Sequence, residues 1–472
     1  MATTTRHLDD SLVSDLRAAV AGDVITPGDE DYHDARALWN GRIDRYPAAI
    51  VRVVSADDVA AAIRFAREND RGIAVRGGGH HVTGSAVVDD GVVIDCSDLT
   101  EVELDVEARA VRVGAGCRVS DVLSATQEHG LAIACGSAAH NGLAGSTLGG
   151  AIGWVRRAHG LGIDGLRSVE LVTVDGEVLT VSAEEHPDLF WGVRGGGANF
   201  GVATSFEFDC FELGPEVAVA QPIYPAPDEV TVRDLLGQYR DYVADAPREV
   251  TSMAIVTSVP PLPFVPREAH GAPVVMFYAA YAGDPAEGEE VMRPLREMGE
   301  PAMDMSTRMP FIALHEIANE LFPVGNRYSW HSLYAEELSD DLIDRIAANA
   351  AKRPEGEAAV EVWHLGGAVS DVAPDATAYA HRDAEFLVDV GATWRDPDDD
   401  EAHLEWAEAS WRALRESGAT WEGFYPGFPG FATGEERARM AYGDNLDRLA
   451  ELKAEYDPEN LLHSDLNVAP AR

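Results

Sequence analysis

The sequence predicts an α+β fold with two domains, and three observations lead to that prediction. Up to about Leu213, short apolar runs alternate with amphipathic stretches, and glycine-rich turns follow several of the runs. Beyond that point the character of the chain changes to proline-rich loops and longer mixed elements. A length of 472 residues with 46% hydrophobic residues is enough for two or three domains with cores of their own.

The first part of the chain carries clear signals for individual elements. Ser55 begins an S-x-x-D pattern that ends at Asp58, which is typical of a helix start, and Asp175 with Gly176 is a strong hairpin turn. We therefore predict, in chain order, a strand at 48–54, a helix at 56–69, strands at 73–75 and 92–95, a hairpin at 102–113, a helix at 119–129, an apolar run at 131–134, a hairpin at 169–181 and a strand at 202–208.

The second part of the chain mixes strands and helices. Its first landmark is a proline-rich loop at 259–263, and its last is an amphipathic pattern that predicts one continuous helix at 435–456. Between them we predict ordered elements at 274–281, 340–352, 358–365, 386–393 and 401–416, of which 386–393 reads as a strand.

The charge of the chain excludes several partners. There are 81 Asp and Glu against 37 Lys and Arg, for a net charge of −44, and only Lys352 and Lys453 are lysines. We expect no nucleic-acid partner and no docking on an anionic membrane, because both need basic surfaces. An acidic, lysine-poor surface keeps its hydration in concentrated salt, so we expect a halophilic cytoplasm.

Three further features of the sequence favour a cytoplasmic location. Residues 1–16 carry no basic region followed by an apolar run, and the chain has no apolar stretch of about 18 residues that would span a membrane. The four cysteines have unrelated spacings, which predicts neither a disulfide framework nor a zinc site. They are Cys96, Cys117, Cys135 and Cys210.

Three glycine-rich turns, at 76–84, 136–153 and 194–201, are the candidate cofactor site. Glycine lets backbone N–H groups approach an anion closely, so a dinucleotide phosphate is a natural ligand; the alternative is that these are only tight turns. The G-x-G-x-x-G spacing fails because Val82 and Phe200 stand at the third glycine position, and a P-loop is absent. No hydrolase or metal-ligand pattern is present either, and we expect no metal.

The first turn, Arg76-Gly77-Gly78-Gly79-His80-x-x-x-Gly84, resembles the R-x-G-G-H-x-x-x-G motif of the berberine-bridge-enzyme-like FAD-linked oxidases, which belong to the vanillyl-alcohol-oxidase superfamily. Four other segments are similar to the same family and keep its order. They are the entry Tyr32-x-x-Ala35-Arg36-x-x-Trp39-Asn40, the run 142–153, the pair of motifs at 187–191 and 194–201, and the C-terminal Asp457-Pro458-x-Asn460-Leu461.

The resemblance implies a fold and a cofactor. It implies a PCMH-type FAD-binding domain of two α/β subdomains, formed by residues 1–212 and 420–472, with an inserted α+β substrate domain containing an antiparallel sheet at 213–419. It also implies that His80 is bonded covalently to the flavin. Many relatives add a second link through a cysteine, but Ala138 occupies that position here. We therefore expect FAD with a single covalent link.

The resemblance also implies the residues that surround the FAD. Besides His80, these expected contacts are Arg76, Gly77, Gly78, Gly79, His81, Gly84, His140, Gly142, Gly145, Thr147, Gly149, Gly150, Gly153, Gly160, Asp164, Gly201, Val202 and Asn467.

The family oxidises a C–H bond beside a hydroxyl or amine by hydride transfer to flavin N5, and a base must take the O–H or N–H proton. The resemblance assigns the base to Tyr425, although Gly427 replaces an asparagine that supports it in relatives. Asp389 shares a strand face with Leu387 and Gly391 and is a second candidate base. Residues expected on the substrate side are Tyr328, His331 and Tyr334.

The function predicted from these features is FAD-dependent oxidation of a hydroxyl-bearing small molecule, such as a sugar or alcohol, with oxygen or another acceptor reoxidising the flavin. Asn141 stands where relatives place a residue that helps to set oxygen reactivity, so oxidase and dehydrogenase both stay open. The alternatives are a flavin-binding protein without turnover and an amine or alkaloid oxidase of the same family. An NAD-dependent Rossmann dehydrogenase is disfavoured by the failed glycine spacing.

The acidic surface generates a prediction about stability. At about 1 M salt the Debye length falls to about 3 Å, which screens the repulsion among the carboxylates. We expect the midpoint of thermal unfolding to rise as KCl is added, as measured by calorimetry. A midpoint that is constant or falls with added KCl would contradict a halophilic protein.

Overall fold

A computed structural model describes residues 8–259, 267–354 and 356–472, so most of the proline-rich loop predicted at 259–263 lies outside the described residues. The strands are β1 Val24–Ile25, β2 Ala49–Arg52, β3 Ile73–Arg76, β4 Val92–Asp95, β5 Val102–Asp105, β6 Ala110–Gly114, β7 Leu131–Ala132, β8 Leu166–Val172, β9 Val178–Ser182, β10 Val202–Asp209, β11 Phe211–Glu212, β12 Glu216–Ala220, β13 Pro222–Pro225, β14 Val250–Ser258, β15 Pro273–Tyr281, β16 Met303–Asp304, β17 Thr307–Pro310, β18 Arg327–Ala335, β19 Glu357–His364 and β20 Phe386–Trp394.

The helices are distributed along the whole chain. They are α1 Asp10–Ala19, α2 Tyr32–Arg36, α3 Ala56–Glu68, α4 Val119–Gln127, α5 Leu143–Leu148, α6 Arg156–His159, α7 Pro187–Val193, α8 Glu229–Ala244, α9 Pro285–Val291, α10 Arg293–Arg296, α11 Phe311–Leu321, α12 Asp340–Ala350, α13 Asp400–Glu416, α14 Gly434–Tyr442 and α15 Leu446–Tyr456. None of them, within the described ranges, is long and apolar enough to cross a membrane.

A small, largely parallel sheet carries the first glycine-rich turn. Its order is β1-β2-β4-β3, and β2, β4 and β3 run parallel. Parallel strands are buried on both faces, which explains why β4 reads as a continuous apolar run with every residue buried. Helix α3 begins as predicted, with Ser55 Oγ accepting from the Asp58 N–H at 3.2 Å. The turn starts directly where β3 ends, at the carboxyl edge of this sheet.

The second sheet is antiparallel, with the order β5-β6-β10-β8-β9. It contains both hairpins that the sequence predicts, β5 with β6 and β8 with β9. In the second hairpin Gly176 has a φ of +83°, which a residue with a side chain rarely adopts, so the Asp175-Gly176 turn depends on this glycine.

The third sheet has nine strands, all between Glu216 and Trp394, and within the described residues all of its strand pairings are antiparallel. Its centre is the run β15-β14-β19-β20-β18. Helices α8, α12 and α13 pack on this sheet. Every residue of β20 is buried, so both faces of this central strand are covered.

The α+β fold class is confirmed, and the predicted strands and helices lie within one to three residues of their expected bounds, apart from one helix. The helix predicted at 435–456 is wrong as a continuous element, because it is interrupted by a short turn at Gly443–Asn445. Gly443 has a φ of +50°, and the Asn445 side chain turns inward to donate to the Pro374 and Thr377 carbonyls. The amphipathic period continues across the break, and for that reason the sequence pattern did not show it.

Candidate active site

A cavity of about 310 Å³ lies between the glycine-rich turns and the nine-stranded sheet. Many of the residues that the sequence predicted for the site line this cavity. The predicted residues that line it are Gly77, Gly78, Gly79, His80, His81, His140, Gly142, Gly145, Gly149, Asp389 and Tyr425.

The first two glycine-rich turns touch each other through their backbones. A Cβ on Gly78 would lie 2.5 Å from the backbone N of Gly142, and a Cβ on Gly142 would lie 2.3 Å from the backbone N of Gly78. Gly79 has a φ of +64°, which turns the chain toward His80. A Cβ on Gly145 would meet no described atom within 4 Å, so its backbone is open to the cavity. These turns form a cradle of main chain that fits a phosphate-bearing cofactor.

His80 stands at the end of this cradle with a free ring nitrogen. Its ring stacks on Trp39, with centroids 4.0 Å apart, and lies 4.4 Å from the ring of His140. Its Nε2 is inaccessible and has no partner among the described residues. Burial, with a contribution from His140, holds the pKa of His80 well below its ordinary value. Burial therefore favours the neutral imidazole, the form in which one ring nitrogen keeps a lone pair.

No thiol competes with His80 for a bond to a cofactor in the described part of the cavity. Ala138 lines the cavity at the position where the sequence lacks the expected cysteine. The nearest cysteine in sequence, Cys135, is buried, and burial raises the pKa of its thiol to about 12. Its Sγ lies 3.8 Å from Nε2 of His315, outside the lining.

Arg76 stabilises the first glycine-rich turn through buried hydrogen bonds. Its side chain is buried, with Nη2 at 2.5 Å from Oδ2 of Asp95 and Nη1 at 2.5 Å from the Ala35 carbonyl. These bonds tie the end of β3 to β4 and to helix α2. The guanidinium of Arg76 does not line the described cavity and fixes the turn, so the contact of Arg76 with the cofactor stays a prediction.

Three predicted glycines serve packing around the cavity. A Cβ on Gly84 would lie 2.6 Å from the Ile43 side chain, one on Gly153 would lie 1.7 Å from the Cys135 carbonyl oxygen, and one on Gly201 would lie 2.7 Å from the Val172 carbonyl oxygen. None of the three lines the described cavity, so their glycine character follows from close packing.

Gly160 and Asp164 form a structural loop behind the cradle. Both carboxylate oxygens of Asp164 accept from Arg382, at 2.7 and 2.8 Å, and one also accepts from the Leu161 N–H at 2.8 Å. Gly160 has a φ of +82°, and a Cβ there would lie 2.7 Å from Asp164 Oδ2, so the loop requires glycine at this position. The carboxylate of Asp164 is therefore already paired with Arg382.

Four other predicted contacts lie outside the cavity lining. Val202 begins β10 with its side chain in the core, and a Cβ on Gly150 would meet the Tyr379 ring at 2.9 Å. Thr147 Oγ1 and Asn467 Oδ1 are inaccessible and lack a hydrogen-bond partner within the described chain. A cofactor held by the cradle would offer hydrogen-bond partners to these two buried polar atoms.

Tyr425 reaches the cavity from the C-terminal part of the chain. Its backbone N–H donates to Ser332 Oγ at 3.1 Å, and that hydroxyl donates to the Phe428 carbonyl at 2.9 Å, so the segment is pinned to β18. Burial raises the pKa of Tyr425 to about 12, while the backbone N–H groups of Ala151 and Ile152 lower it in part. These N–H groups would stabilise a phenolate.

Steric crowding explains why Gly427 stands where relatives have an asparagine. A Cβ on Gly427 would lie 2.5 Å from Cε1 of Tyr425, so no side chain fits beside that ring. The phenol is supported by the Ala151–Ile152 main chain instead of by a side-chain amide. Ala151 adopts a φ of +60°, an uncommon conformation for alanine, as this turn passes the phenol.

Asp389 lines the cavity beside a carboxylate that the sequence did not reveal. Glu361 on β19 is its direct cross-strand partner, and both line the cavity. Burial and the charge of Glu361 raise the pKa of Asp389 well above its ordinary range, and burial also raises the pKa of Glu361. Trp363 Nε1 donates to Glu361 Oε2 at 2.8 Å. Ser332, which holds the Tyr425 segment, is the partner of Asp389 on β18.

The three residues expected on the substrate side do not line the described cavity, and their contact with a substrate stays a prediction. Tyr328 stacks on Trp39, with centroids 3.7 Å apart, and donates to the Pro323 carbonyl. His331 is held between Ser329 Oγ and the Pro429 carbonyl. The Tyr334 hydroxyl pairs with that of Tyr379. The wall at this position is made instead by Trp330, Trp363 and Phe428.

The sequence did contain a signal for part of this wall. The alternation of β18 places Trp330 and Ser332 on one face, and that of β19 places Glu361 and Trp363 on one face. The lateral pairing of these strands, which joins Glu361 to Asp389, is decided by sheet order and cannot be read from any one strand.

Comparison with known proteins agrees with this architecture. A family model for an FAD binding domain matches residues 47–182, and a model described as berberine and berberine like matches residues 395–469. The FAD-linked oxidoreductase YgaK of Bacillus subtilis is 30% identical over 97% of this chain and 98% of its own length. The (R)-6-hydroxynicotine oxidase of Paenarthrobacter nicotinovorans is 29% identical over 96% of this chain and 97% of its own.

Solved structures give the same result. The crystal structure of 6-hydroxy-D-nicotine oxidase from Arthrobacter nicotinovorans matches with a TM-score of 0.86 and 28% identity, covering 96% of this chain and 98% of that one. A glucooligosaccharide oxidase of Acremonium strictum, studied for its 6-S-cysteinyl, 8α-N1-histidyl FAD, shares the fold with a TM-score of 0.85 at 23% identity, covering 98% of this chain and 100% of that one.

The fold and the cradle thus define an FAD-linked oxidoreductase with a PCMH-type FAD-binding fold. The chain belongs to the berberine-bridge-enzyme-like family of these enzymes. The expected family, fold and FAD cofactor are confirmed.

The contact between the first two turns generates a prediction. Gly78→Ala places a methyl group against the Gly142 backbone, so we expect the turns to separate and the FAD content per chain to fall by at least about tenfold, the usual scale of a backbone clash of 1–3 kcal/mol. Flavin absorbance against protein absorbance measures it. Gly28→Ala, at an exposed glycine with no described atom within 4 Å, should keep full loading. Full loading of Gly78→Ala would contradict the cradle.

Proposed function

We propose that this enzyme oxidises a small molecule at a C–H bond beside a hydroxyl or an amino group. The observation that supports this most strongly is the meeting of Tyr425, Asp389 and Glu361 with His80 and the glycine turns around one cavity. Proton-accepting groups on the sheet side then face the place where the cradle would hold a cofactor. This arrangement suits a reaction that removes a proton and a hydride from one substrate.

The residues present fit FAD in two ways. The backbone of Gly145 is open to the cavity, where it can receive phosphate oxygens, and the side chain of His80 lines the same cavity. When bound, the flavin supplies a two-electron acceptor that takes hydride at N5. We propose that His80 holds the flavin through a single covalent bond, since Ala138 stands where a cysteine would give a second one.

The proton of the reaction needs a base in the same cavity. Tyr425 is our primary candidate: its phenol is buried, and the Ala151 and Ile152 N–H groups would stabilise the phenolate against burial. The Asp389–Glu361 pair is the second candidate, because a carboxyl whose pKa is raised by burial and by a neighbouring charge accepts a proton readily. In either case, the proton leaves the substrate O–H or N–H while its C–H bond is broken.

Several broader expectations are also part of the proposal. We propose that residues 213–419 act as the substrate domain, which the confinement of the nine-stranded sheet to Glu216–Trp394 supports. We propose a halophilic cytoplasm, supported by the charge of −44 and by four buried, free cysteines. Oxygen or another small acceptor would reoxidise the flavin, with Asn141 lining the cavity at the position that bears on oxygen reactivity.

The covalent bond is tested by denaturing electrophoresis. The wild-type band should fluoresce in the gel as a flavin does, and His80→Ala should abolish that fluorescence, because the bonding nitrogen is gone. His129→Ala, at an exposed histidine outside the described cavity lining, is the control and should keep it. Fluorescence retained in His80→Ala would refute this attachment.

The role of Tyr425 is tested by anaerobic flavin reduction with a panel of alcohols, sugars and amines. Tyr425→Phe should slow reduction by the best reductant of the panel by about 10²–10⁴-fold, the usual contribution of a general base. Tyr278→Phe is the control, since Tyr278 is a buried tyrosine outside the described cavity lining, and it should reduce at the wild-type rate. An unchanged rate in Tyr425→Phe would remove it as the base, and a panel that never reduces the flavin would overturn the proposed function.

A further inference from the structure

The residue after Tyr425, Pro426, lies in a tight turn that leaves its carbonyl without a partner from the turn itself. The Phe428 N–H donates to the Tyr425 carbonyl at 2.9 Å, which closes a β-turn with Pro426 as its second residue. That bond uses the carbonyl of the first residue of the turn, and proline has no N–H of its own. The Pro426 carbonyl therefore depends on a donor from another segment of the chain.

His81 supplies that donor from the first glycine-rich turn. Its Nε2 lies 3.0 Å from the Pro426 carbonyl oxygen, and both residues line the cavity. We call residues 421–431 the Tyr425 segment. Among the described residues, His81 is the one side chain of the first turn that hydrogen-bonds to this segment. It directly follows His80 in the chain.

The surroundings of the His81 ring determine where its proton lies. The Thr83 N–H donates to Nδ1 at 3.4 Å, and the Thr83 hydroxyl lies 2.8 Å from the same nitrogen. The Pro426 carbonyl can only accept a hydrogen bond, so the ring proton is on Nε2 and points toward that carbonyl. Burial lowers the pKa of His81, which favours this neutral form.

The nine-stranded sheet holds the Tyr425 segment from its other side. The Ser332 hydroxyl accepts from the Tyr425 N–H, and both the hydroxyl and the N–H of Ser332 donate to the Phe428 carbonyl at 2.9 Å. These bonds fix the segment relative to β18, but none of them joins it to the first turn. The bond from His81 makes that connection, one residue away from His80.

We propose that His81 is a positioning residue, which sets the distance between the flavin attached at His80 and the base Tyr425. This inference rests on the proposed function, in which the base takes a proton from the same substrate that gives hydride to the flavin. The two transfers start from neighbouring atoms of one molecule, so the two acceptors must keep a fixed separation. A displacement of about 1 Å is enough to slow such a reaction by about 10²-fold.

A pair of amide variants tests this role by reach alone. The side-chain nitrogen of glutamine can take the place of histidine Nε2, whereas that of asparagine reaches only as far as Nδ1. His81→Gln should therefore keep the bond to Pro426, and His81→Asn should lose it. We expect anaerobic flavin reduction by saturating amounts of the best reductant to slow about 10- to 100-fold in His81→Asn and to stay within about threefold of wild type in His81→Gln. Equal losses in both variants, or no loss in His81→Asn, would overturn the inference.

A double variant shows whether His81 acts through Tyr425. If His81 only positions the phenol, His81→Asn should change the reduction rate by less than about twofold when Tyr425→Phe is already present. A loss of the same size in both backgrounds would contradict the inference. His129→Asn, at an exposed histidine outside the described cavity lining, is the control and should reduce at the wild-type rate.

Hydrogen exchange adds a readout that needs no substrate. Peptides from the Tyr425 segment of the FAD-loaded protein are followed by mass spectrometry. His81→Asn should speed their exchange about two- to tenfold, the scale of one lost hydrogen bond, and His81→Gln should not. Unchanged exchange in His81→Asn would refute the connection. If that variant loses its flavin, Thr83→Val takes its place, because it removes the hydroxyl beside Nδ1 and should speed exchange in the same direction.

Failure of this inference and failure of the proposed function give different results. A wild-type rate in Tyr425→Phe, or a panel that never reduces the flavin, defeats the proposed function, and the exchange data still decide whether His81 holds the segment. Slow reduction in Tyr425→Phe together with wild-type reduction in His81→Asn leaves the proposed function intact and overturns the role of His81.

Discussion

The backbone contact between Gly78 and Gly142 is the constraint on which the rest of the site depends. Neither residue has a Cβ. The turn that follows β3 and the turn that precedes α5 therefore pack with their backbones in direct contact. The buried salt bridge between Arg76 and Asp95 fixes the first of these turns. The result is a main-chain cradle that ends at His80, so the position of the cofactor is set by the backbone before any side chain acts.

The opposite wall carries the groups that we propose as proton acceptors, and its parts are held by pairing across strands. Ser332, Asp389 and Glu361 lie side by side on β18, β20 and β19. Ser332 anchors the segment that carries Tyr425, so the phenol and the carboxyl pair are positioned by the same row of the sheet. Burial raises the pKa of all three acidic groups, which means that protons are retained in the cavity instead of being lost to water.

The sequence predicted the cradle well and the opposite wall only in part. The first two glycine turns, His80 and Ala138 were all visible as local patterns, since each depends on neighbours close in the chain. Glu361 was not visible, because its role comes from pairing with Asp389 across the sheet, 28 positions further along the chain by the difference of their numbers. Tyr328 and Tyr334 have the same strand parity as Trp330, and only their packing against Trp39 and Tyr379 places them beyond the cavity.

We propose that one cavity brings the flavin, attached at His80, against a wall of proton-accepting groups. A crystal structure of the FAD-loaded protein tests it most directly. We predict continuous electron density from the His80 ring to the flavin, with the reactive face of the flavin toward Tyr425 and Asp389. Density that joins the flavin to a different side chain, or a flavin ring that lies away from the nine-stranded sheet, would contradict the account.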